Sequence, residues 1–266
     1  MPIELSQPVK VVSQDEFHAI HHVMVGHAFA IHNQYGRMLD EKIYKSELAY
    51  RCAQGGITAE REVLIRVRHG TFVKDYFIDL LLAGSTVAEA KCAAAIAPAH
   101  RAQALNYVLL AGAHHGSLVN FRPLKVQPEF VSTTLTPSDR RRFSAAAHGW
   151  PEDTEHQKLR QTVVSLCADV GLGLEVALYR EAVATLMGGR SLLPQPVPIM
   201  GDSRQLGEHS MHLLRDGVGL AVTAVSRIAD TRKHLQRLLN HTALDAIAWV
   251  NLPLNNVRFE LLKKTE

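Results

Sequence analysis

Hydrophobic positions in residues 72–91, FVKDYFIDLLLAGSTVAEAK, fall into two runs, 76–82 and 86–90, on either side of Ala83-Gly84-Ser85. Two apolar runs around a glycine-containing turn predict a β-hairpin. Side chains two apart on a strand share a face. Glu89 and Lys91 therefore point the same way and Ala90 the opposite way, and pairing across the turn sets Asp79 beside Glu89. Polar residues at three positions of an otherwise apolar hairpin are the most informative feature of the chain.

The pattern upstream predicts helices. Residues 1–14 read as an extended lead-in. Ser13 and Glu16 make a capping box, and Phe17, Ile20, Val23, Met24, Ala28 and Ile31 follow at helical spacing up to Tyr35-Gly36. A second helix over 39–53 carries Leu39, Ile43, Leu48 and Ala49 and stops at Gln54-Gly55-Gly56. Residues 57–67 alternate as a strand. Past the hairpin, Pro98 precedes a helix over 99–111 with Ala102, Leu105, Val108 and Leu109 on its apolar side, ended by Gly112. Residues 117–121 form a short strand. The predicted order is helices, three strands, helix, strand.

The second half repeats this order. Residues 126–151, with Pro128, Pro137, Pro151 and the basic run Arg140-Arg141-Arg142, read as a connection, giving domains over 1–135 and 155–266 and a linker over 136–154. A helix over 155–170 ends in Gly171-Leu172-Gly173, and Tyr179 stands as far from Gly171 as Tyr44 from Gly36. A further helix stops at Gly188-Gly189. Residues 211–225 resemble the hairpin, HLQRLLNH at 234–241 resembles HRAQALNY at 100–107, and AWVNL at 248–252 resembles SLVNF at 117–121. A spacing of about 134 residues is a whole domain, which indicates tandem duplication.

Composition sets the class. A chain of 266 residues that is 47% hydrophobic can bury a sizeable core in one or two domains. A formal charge of +3 suits a polyanionic partner without requiring one. The three cysteines, Cys52, Cys92 and Cys167, are too few and too far apart for a disulfide framework. The fifteen histidines form no compact ligand cluster with them. MPIELSQPVK lacks the apolar core of a signal peptide, and no apolar run reaches spanning length. These features predict a soluble, cytoplasmic protein with no membrane association.

Two carboxylates and an ammonium on a half-buried hairpin are expensive to desolvate and call for a partner. Mg²⁺ suits one or two carboxylates together with water and phosphate oxygens. Asp79 and Glu89 are thus candidate metal ligands, and Lys91 can orient a water or neutralise developing charge. A solvated ion pair is the plainer alternative for Glu-x-Lys on a strand. Gln103 and Tyr107, four apart on one helix face, can support such a site or form an ordinary polar rim.

Residues 17–121 resemble the GxxExxY protein family within the PD-(D/E)XK nuclease superfamily. The likeness rests on AIHNQYG, on Gly36, Glu41 and Tyr44 in GRMLDEKIY, on EREV, on YFIDLLL with Asp79, on AEAK with Glu89 and Lys91, on HRAQALNY with Gln103 and Tyr107, and on SLVNF. Met38 departs from the family pattern, which has a second glycine there. The resemblance implies a mixed α/β, restriction-endonuclease-like αβββαβ core, here in two copies. It also implies a Mg²⁺- or Mn²⁺-dependent nuclease acting on nucleic acid, with DNA as the expected substrate. Asp79 and Glu89 would hold the metal, with the Ala90 carbonyl and Glu41 as further ligands, and Lys91 would be the catalytic lysine supported by Gln103 and Tyr107. His32 is a further polar residue of the N-terminal helices. In the second half, His212, Val222, Ala224, Arg237 and His241 align with Asp79, Glu89, Lys91, Gln103 and Tyr107, so that copy is expected to be inactive. Two fused copies would let a single chain act as a pseudo-dimer. The alternative is a non-catalytic nucleic-acid-binding or regulatory module on the same scaffold.

Overall fold

The structure is a computed structural model describing residues 2–188 and 194–264. Gly189 of the expected Gly188-Gly189 stop lies outside these residues, as do 265–266. Two units are present, Met1–Val67 with Lys74–Pro137 and Arg68–Val73 with Ser138–Glu266.

In the first unit, the elements in chain order are β1 (Ile3–Leu5), α1 (Gln14–Tyr35), α2 (Glu41–Gln54), β2 (Ala59–His69), β3 (Phe72–Leu82), β4 (Thr86–Lys91), α3 (Pro98–Ala111), β5 (His115–Asn120) and β6 (Gln127–Ser132). They form a six-stranded sheet ordered β1-β2-β3-β4-β5-β6. The β3–β4 hairpin is antiparallel, β4 and β5 run parallel, and β5 pairs antiparallel with β6. At the hairpin turn Ala83 and Gly84 both take positive φ, +52° and +62°, and the Ser85 amide bonds the Leu82 carbonyl at 3.0 Å. That geometry matches the right-handed twist of the flanking strands. Strand β4 lies between β3 and β5 and is buried along its length, so its alternate residues face two different packed layers.

One layer is formed by α1 and α2. Met24, Ala28 and Ile31 of α1 and Tyr44 and Leu48 of α2 pack on Leu80, Leu82, Ala88, Ala90, Val119 and Phe121. The Tyr44 ring stacks on Phe121 at 4.4 Å. Its hydroxyl donates to the Gly36 carbonyl at 2.7 Å and accepts from the Leu39 amide at 3.2 Å. A buried tyrosine thereby satisfies the backbone where α1 turns into α2. Tyr44→Phe leaves that carbonyl and amide without their partner and is expected to lower the unfolding free energy by about 1–3 kcal/mol, read by urea denaturation. Helix α3 forms the other layer, with Ala104 against Leu118. It approaches β5 at Gly116, where an added Cβ would meet Val108 Cγ2 at 2.6 Å.

The structure differs from the sequence pattern at several points. Residues 3–5 of the lead-in are a strand that pairs antiparallel with β2. The Ser13–Glu16 capping box is present, but Val23 and Ile43 are exposed while Tyr44 and Cys52 fill the core. On α3, Ala102 is exposed and Ala104 buried, because the helix is turned toward Leu118. His21 Nδ1 and Ser117 Oγ lie 2.7 Å apart, joining α1 to β5. Burial, and then the charges of His18 and His22, push the His21 pKa below its ordinary value of 6.5. A depressed histidine favours folding when neutral, so this contribution is intact above pH 6.5 and is lost as pH falls through the lower folded-state value. Urea midpoints measured across that range should fall less steeply with acid in His21→Gln than in the parent.

The second unit contains α4 (Pro137–Arg140), β7 (Ser144–His148), α5 (Thr154–Val170), α6 (Val176–Gly188), β8 (Gln195–Met200), β9 (Gln205–Arg215), β10 (Val218–Thr223), α7 (Ile228–Asn240), β11 (Ala246–Asn251) and β12 (Asn256–Lys263). Its sheet order is β7-β12-β11-β10-β9-β8. Residues 136–154, expected as a linker, thus include a helical turn and a strand, and β7 runs parallel to β12. Alanines at 145–147 satisfy their backbone groups on a sheet edge without an alternating apolar pattern, which is why the strand was hidden in the sequence.

Specific contacts recur between the units. The Tyr179 hydroxyl donates to the Gly171 carbonyl at 2.6 Å and accepts from the Leu174 amide at 3.2 Å. Asn120 bonds both backbone groups of Ala93, as Asn251 bonds both of Val225. Arg101 forms a two-pronged ion pair with Glu129, and Arg232 forms one with Glu260. The mixed α/β fold class is as expected: two six-stranded mixed sheets, consistent with a duplicated restriction-endonuclease-like core.

Candidate active site

Asp79 and Glu89 meet because the β3–β4 register pairs Leu80 with Ala88. The Asp79 amide donates to Glu89 Oε1 at 3.2 Å, and the Ala90 amide donates to Asp79 Oδ2 at 3.1 Å. Asp79 is 8% exposed and Glu89 2%, so both carboxylates sit largely out of water. Lys91 Nζ donates to Glu89 Oε2 at 3.0 Å. Burial, and next the charge of Asp79, lift the Glu89 carboxyl to about 7 against the pull of Lys91. For Lys91, burial acts downward but is outweighed by Glu89, Asp79 and Glu41, and its pKa ends above the ordinary value.

Two partners were not singled out in the sequence. Lys45 of α2 donates to Asp79 Oδ1 at 2.9 Å and to Glu62 Oε1 at 3.1 Å. Glu62 stands in strand β2 with φ of +51°, an uncommon conformation for a non-glycine residue, of the kind that gathers at functional sites. The available signal for Lys45 was its spacing, four residues after Glu41 on one helix face. For Glu62 no signal existed, since EREV reads as an ordinary strand.

The remaining candidates are placed as follows. The Glu41 carboxylate accepts from the Cys92 amide at 3.1 Å, one residue beyond Lys91. Gln103 Nε2 donates to the Tyr107 hydroxyl at 3.1 Å. Burial is the main cause raising the Tyr107 pKa, and the charges of Glu89, Lys91 and Asp79 also act on it. The Ala90 side chain lies in the α1–α2 core. His32 Nε2 donates to the Pro123 carbonyl at 3.1 Å, a packing role away from the carboxylates. Among the described residues no group of three or more His, Cys, Asp or Glu side chains is arranged to enclose a metal ion. The arrangement is an acidic pair with one lysine on each carboxylate.

Strand pairing revises the equivalences in the second unit. The Phe121 amide bonds the Lys91 carbonyl and the Leu252 amide bonds the Thr223 carbonyl, both at 2.8 Å. Lys91 pairs with Asn120 and Thr223 with Asn251. Thr223 therefore occupies the place of Lys91, and Ala221 that of Glu89, instead of Ala224 and Val222. Leu220 pairs with His212 as Ala88 pairs with Leu80, which puts Met211 rather than His212 at the place of Asp79. The shared ion pair aligns Arg232 with Arg101, so His234 and Leu238 stand for Gln103 and Tyr107 in place of Arg237 and His241. His241 is the C-cap of α7 and bonds the Met200 carbonyl. The α7 equivalences differ because the loops around α7 differ in length from those around α3, and on the strands a slip of one residue exchanges the two faces.

No curated protein and no solved structure matches the chain, and no helix among the described residues is long and apolar enough to cross a membrane. Residues 18–132 match the family model of the PD-(D/E)XK nuclease superfamily. Nucleases of that superfamily generally use divalent metals. The matched segment runs from α1 to the end of β6 and encloses every residue of the acidic site, so residues 18–132 are a PD-(D/E)XK nuclease superfamily domain, which suggests nuclease activity on a nucleic-acid substrate.

Proposed function

We propose that this domain is a Mg²⁺- or Mn²⁺-dependent nuclease, of the GxxExxY type, that hydrolyses phosphodiester bonds in DNA. The observation that carries the proposal is the buried Asp79–Glu89 pair with Lys91 3.0 Å from Glu89. The donor set fits a hard divalent cation: both carboxylates offer oxygen and both stand largely out of water. Asp79, Glu89 and the Ala90 carbonyl would hold the ion, with Glu41 as a further ligand. When bound, such an ion supplies charge neutralisation and a more acidic coordinated water. Lys91 orients the attacking water and stabilises charge developing on the phosphoryl oxygens. Gln103 fixes the Tyr107 hydroxyl, and the pair positions the scissile phosphate. The second unit, with Met211, Ala221 and Thr223 at the three central positions, is a catalytically inactive duplicate, so that a single chain serves as a monomeric pseudo-dimer in the cytoplasm.

The test is cleavage of single- and double-stranded DNA and RNA by the purified chain with Mg²⁺, Mn²⁺ or EDTA, alongside Asp79→Ala. Metal-dependent cutting of DNA that disappears in the variant is the expected result. Absence of cutting under every condition would refute it. A second reading, a nucleic-acid-binding module without catalysis, is favoured by one observation: Lys45 already neutralises Asp79 at 2.9 Å. It predicts binding of DNA that is indifferent to metal.

A further inference from the structure

The replacement of the acidic site in the second unit leaves, among the described residues, a cleft without carboxylates. In the first unit the central groups are two lysines and two acids, Lys45, Asp79, Glu89 and Lys91. The corresponding residues of the second unit are Arg180, Met211, Ala221 and Thr223. Arg180 follows Tyr179 as Lys45 follows Tyr44, and both tyrosines are tied to the glycine carbonyl ahead of their helix. The Thr223 hydroxyl is used internally, donating to Asn251 Oδ1 and accepting from Trp249 Nε1, each at 2.8 Å. Both carboxylates are therefore gone and one cation remains.

Arg180 lines a cleft of about 460 Å³ with His209, Met211, Ala221, Leu235 and Leu238. Among the described residues no acidic side chain lines it. Arg180 and His209 are exposed, and among the described residues neither has an ion pair. A guanidinium presents a fork of donors suited to phosphate. The floor of the cleft is apolar: Met211 belongs to the core cluster, and Ala221, Leu235 and Leu238 pack against it. A guanidinium and an imidazole over an apolar floor suit a ligand that joins an anionic group to a flat, weakly polar body. The volume is in the range of small-ligand sites.

We propose that this cleft binds a nucleotide unit of single-stranded nucleic acid without cutting it, with the phosphate at Arg180 and His209 and the base against Leu235 and Leu238. The inference rests on the reading that the first unit acts on nucleic acid. It assigns the second unit a substrate-holding role, which loss of the acids favours, since two carboxylates would repel the phosphate that Arg180 attracts.

The test is anisotropy of a fluorescent oligothymidylate titrated with the full chain in EDTA over a series of salt concentrations. Arg180→Glu should weaken binding about tenfold and reduce the salt slope by about one, and His209→Glu should act in the same direction. Both positions are exposed, and an unchanged unfolding midpoint verifies the fold of each variant. Parent affinity and parent slope in both variants would overturn the inference and leave the nuclease reading standing. Equal competition by oligoglutamate would also overturn it, by showing a site for acidic peptide. Failure of the parent itself to bind would defeat the nucleic-acid reading and the inference together, a pattern distinct from the other two.

Discussion

Lys91→Met should reduce metal-dependent cleavage by about two to three orders of magnitude, the usual loss when one preorganised charge-stabilising group is removed from a site. The variant has a second consequence that separates chemistry from folding. Glu89 is 1% exposed at its side chain and Lys91 12%, so the substitution leaves a buried carboxyl without its ammonium partner. Removing one partner of a buried pair costs about 3 kcal/mol of stability. Adding Glu89→Gln in the same chain removes the unpaired carboxyl and should return most of that stability without returning activity. Denaturant midpoints and cleavage rates on the parent, the single and the double variant check both halves. Recovery of cleavage in the double variant would contradict the assignment of Lys91 as the catalytic lysine.

Lys45→Met is the second large effect, and it reports on metal binding without relying on turnover. Lys45 is the ammonium shared by Asp79 and Glu62, with side chains 16% exposed for Lys45 and 11% for Asp79. Its loss leaves Asp79 beside Glu89 with one fewer cation, and about 3 kcal/mol of stability should go with it. A divalent ion that binds the folded carboxylates raises stability by mass action. Because Lys45 occupies one oxygen of Asp79, removing it vacates a position for the ion. Mg²⁺ or Mn²⁺ should therefore raise the unfolding midpoint more in Lys45→Met than in the parent. Equal shifts in the two proteins, or no shift in either, would argue that the acidic pair is held by lysines alone.

The same substitutions show where the sequence was readable. The hairpin was legible because its turn and its two apolar runs are local, and the pairing of Asp79 with Glu89 followed from counting across the turn. The α1 cap was equally local, with Ser13 and Glu16 three residues apart. The Gln103–Tyr107 contact needed only the period of a helix. Lys45 and Glu62 escaped notice because they reach Asp79 from α2 and β2, through space rather than along the chain.

The second unit marks the limit of pattern matching. Its repeat was visible in glycine–tyrosine spacing and in AWVNL against SLVNF. The equivalence of single residues was not, because loops of unequal length flank α7 and no apolar signal restores the count. Strand pairing and the Arg232–Glu260 contact supplied it. The strand β7 was hidden for a related reason: an exposed edge strand draws its stability from backbone hydrogen bonds, which any sequence without proline can make.

By itself, the sequence determined the acidic hairpin and the helices around it, since each is written in residues near one another along the chain. Tertiary structure decided which cations face the acids, that residues 144–148 join the second sheet, and that Met211, Ala221 and Thr223 stand at strand positions like those of Asp79, Glu89 and Lys91. Those outcomes depend on register and on contacts between elements far apart in sequence, where a shift of one residue turns a buried carboxylate toward a different layer.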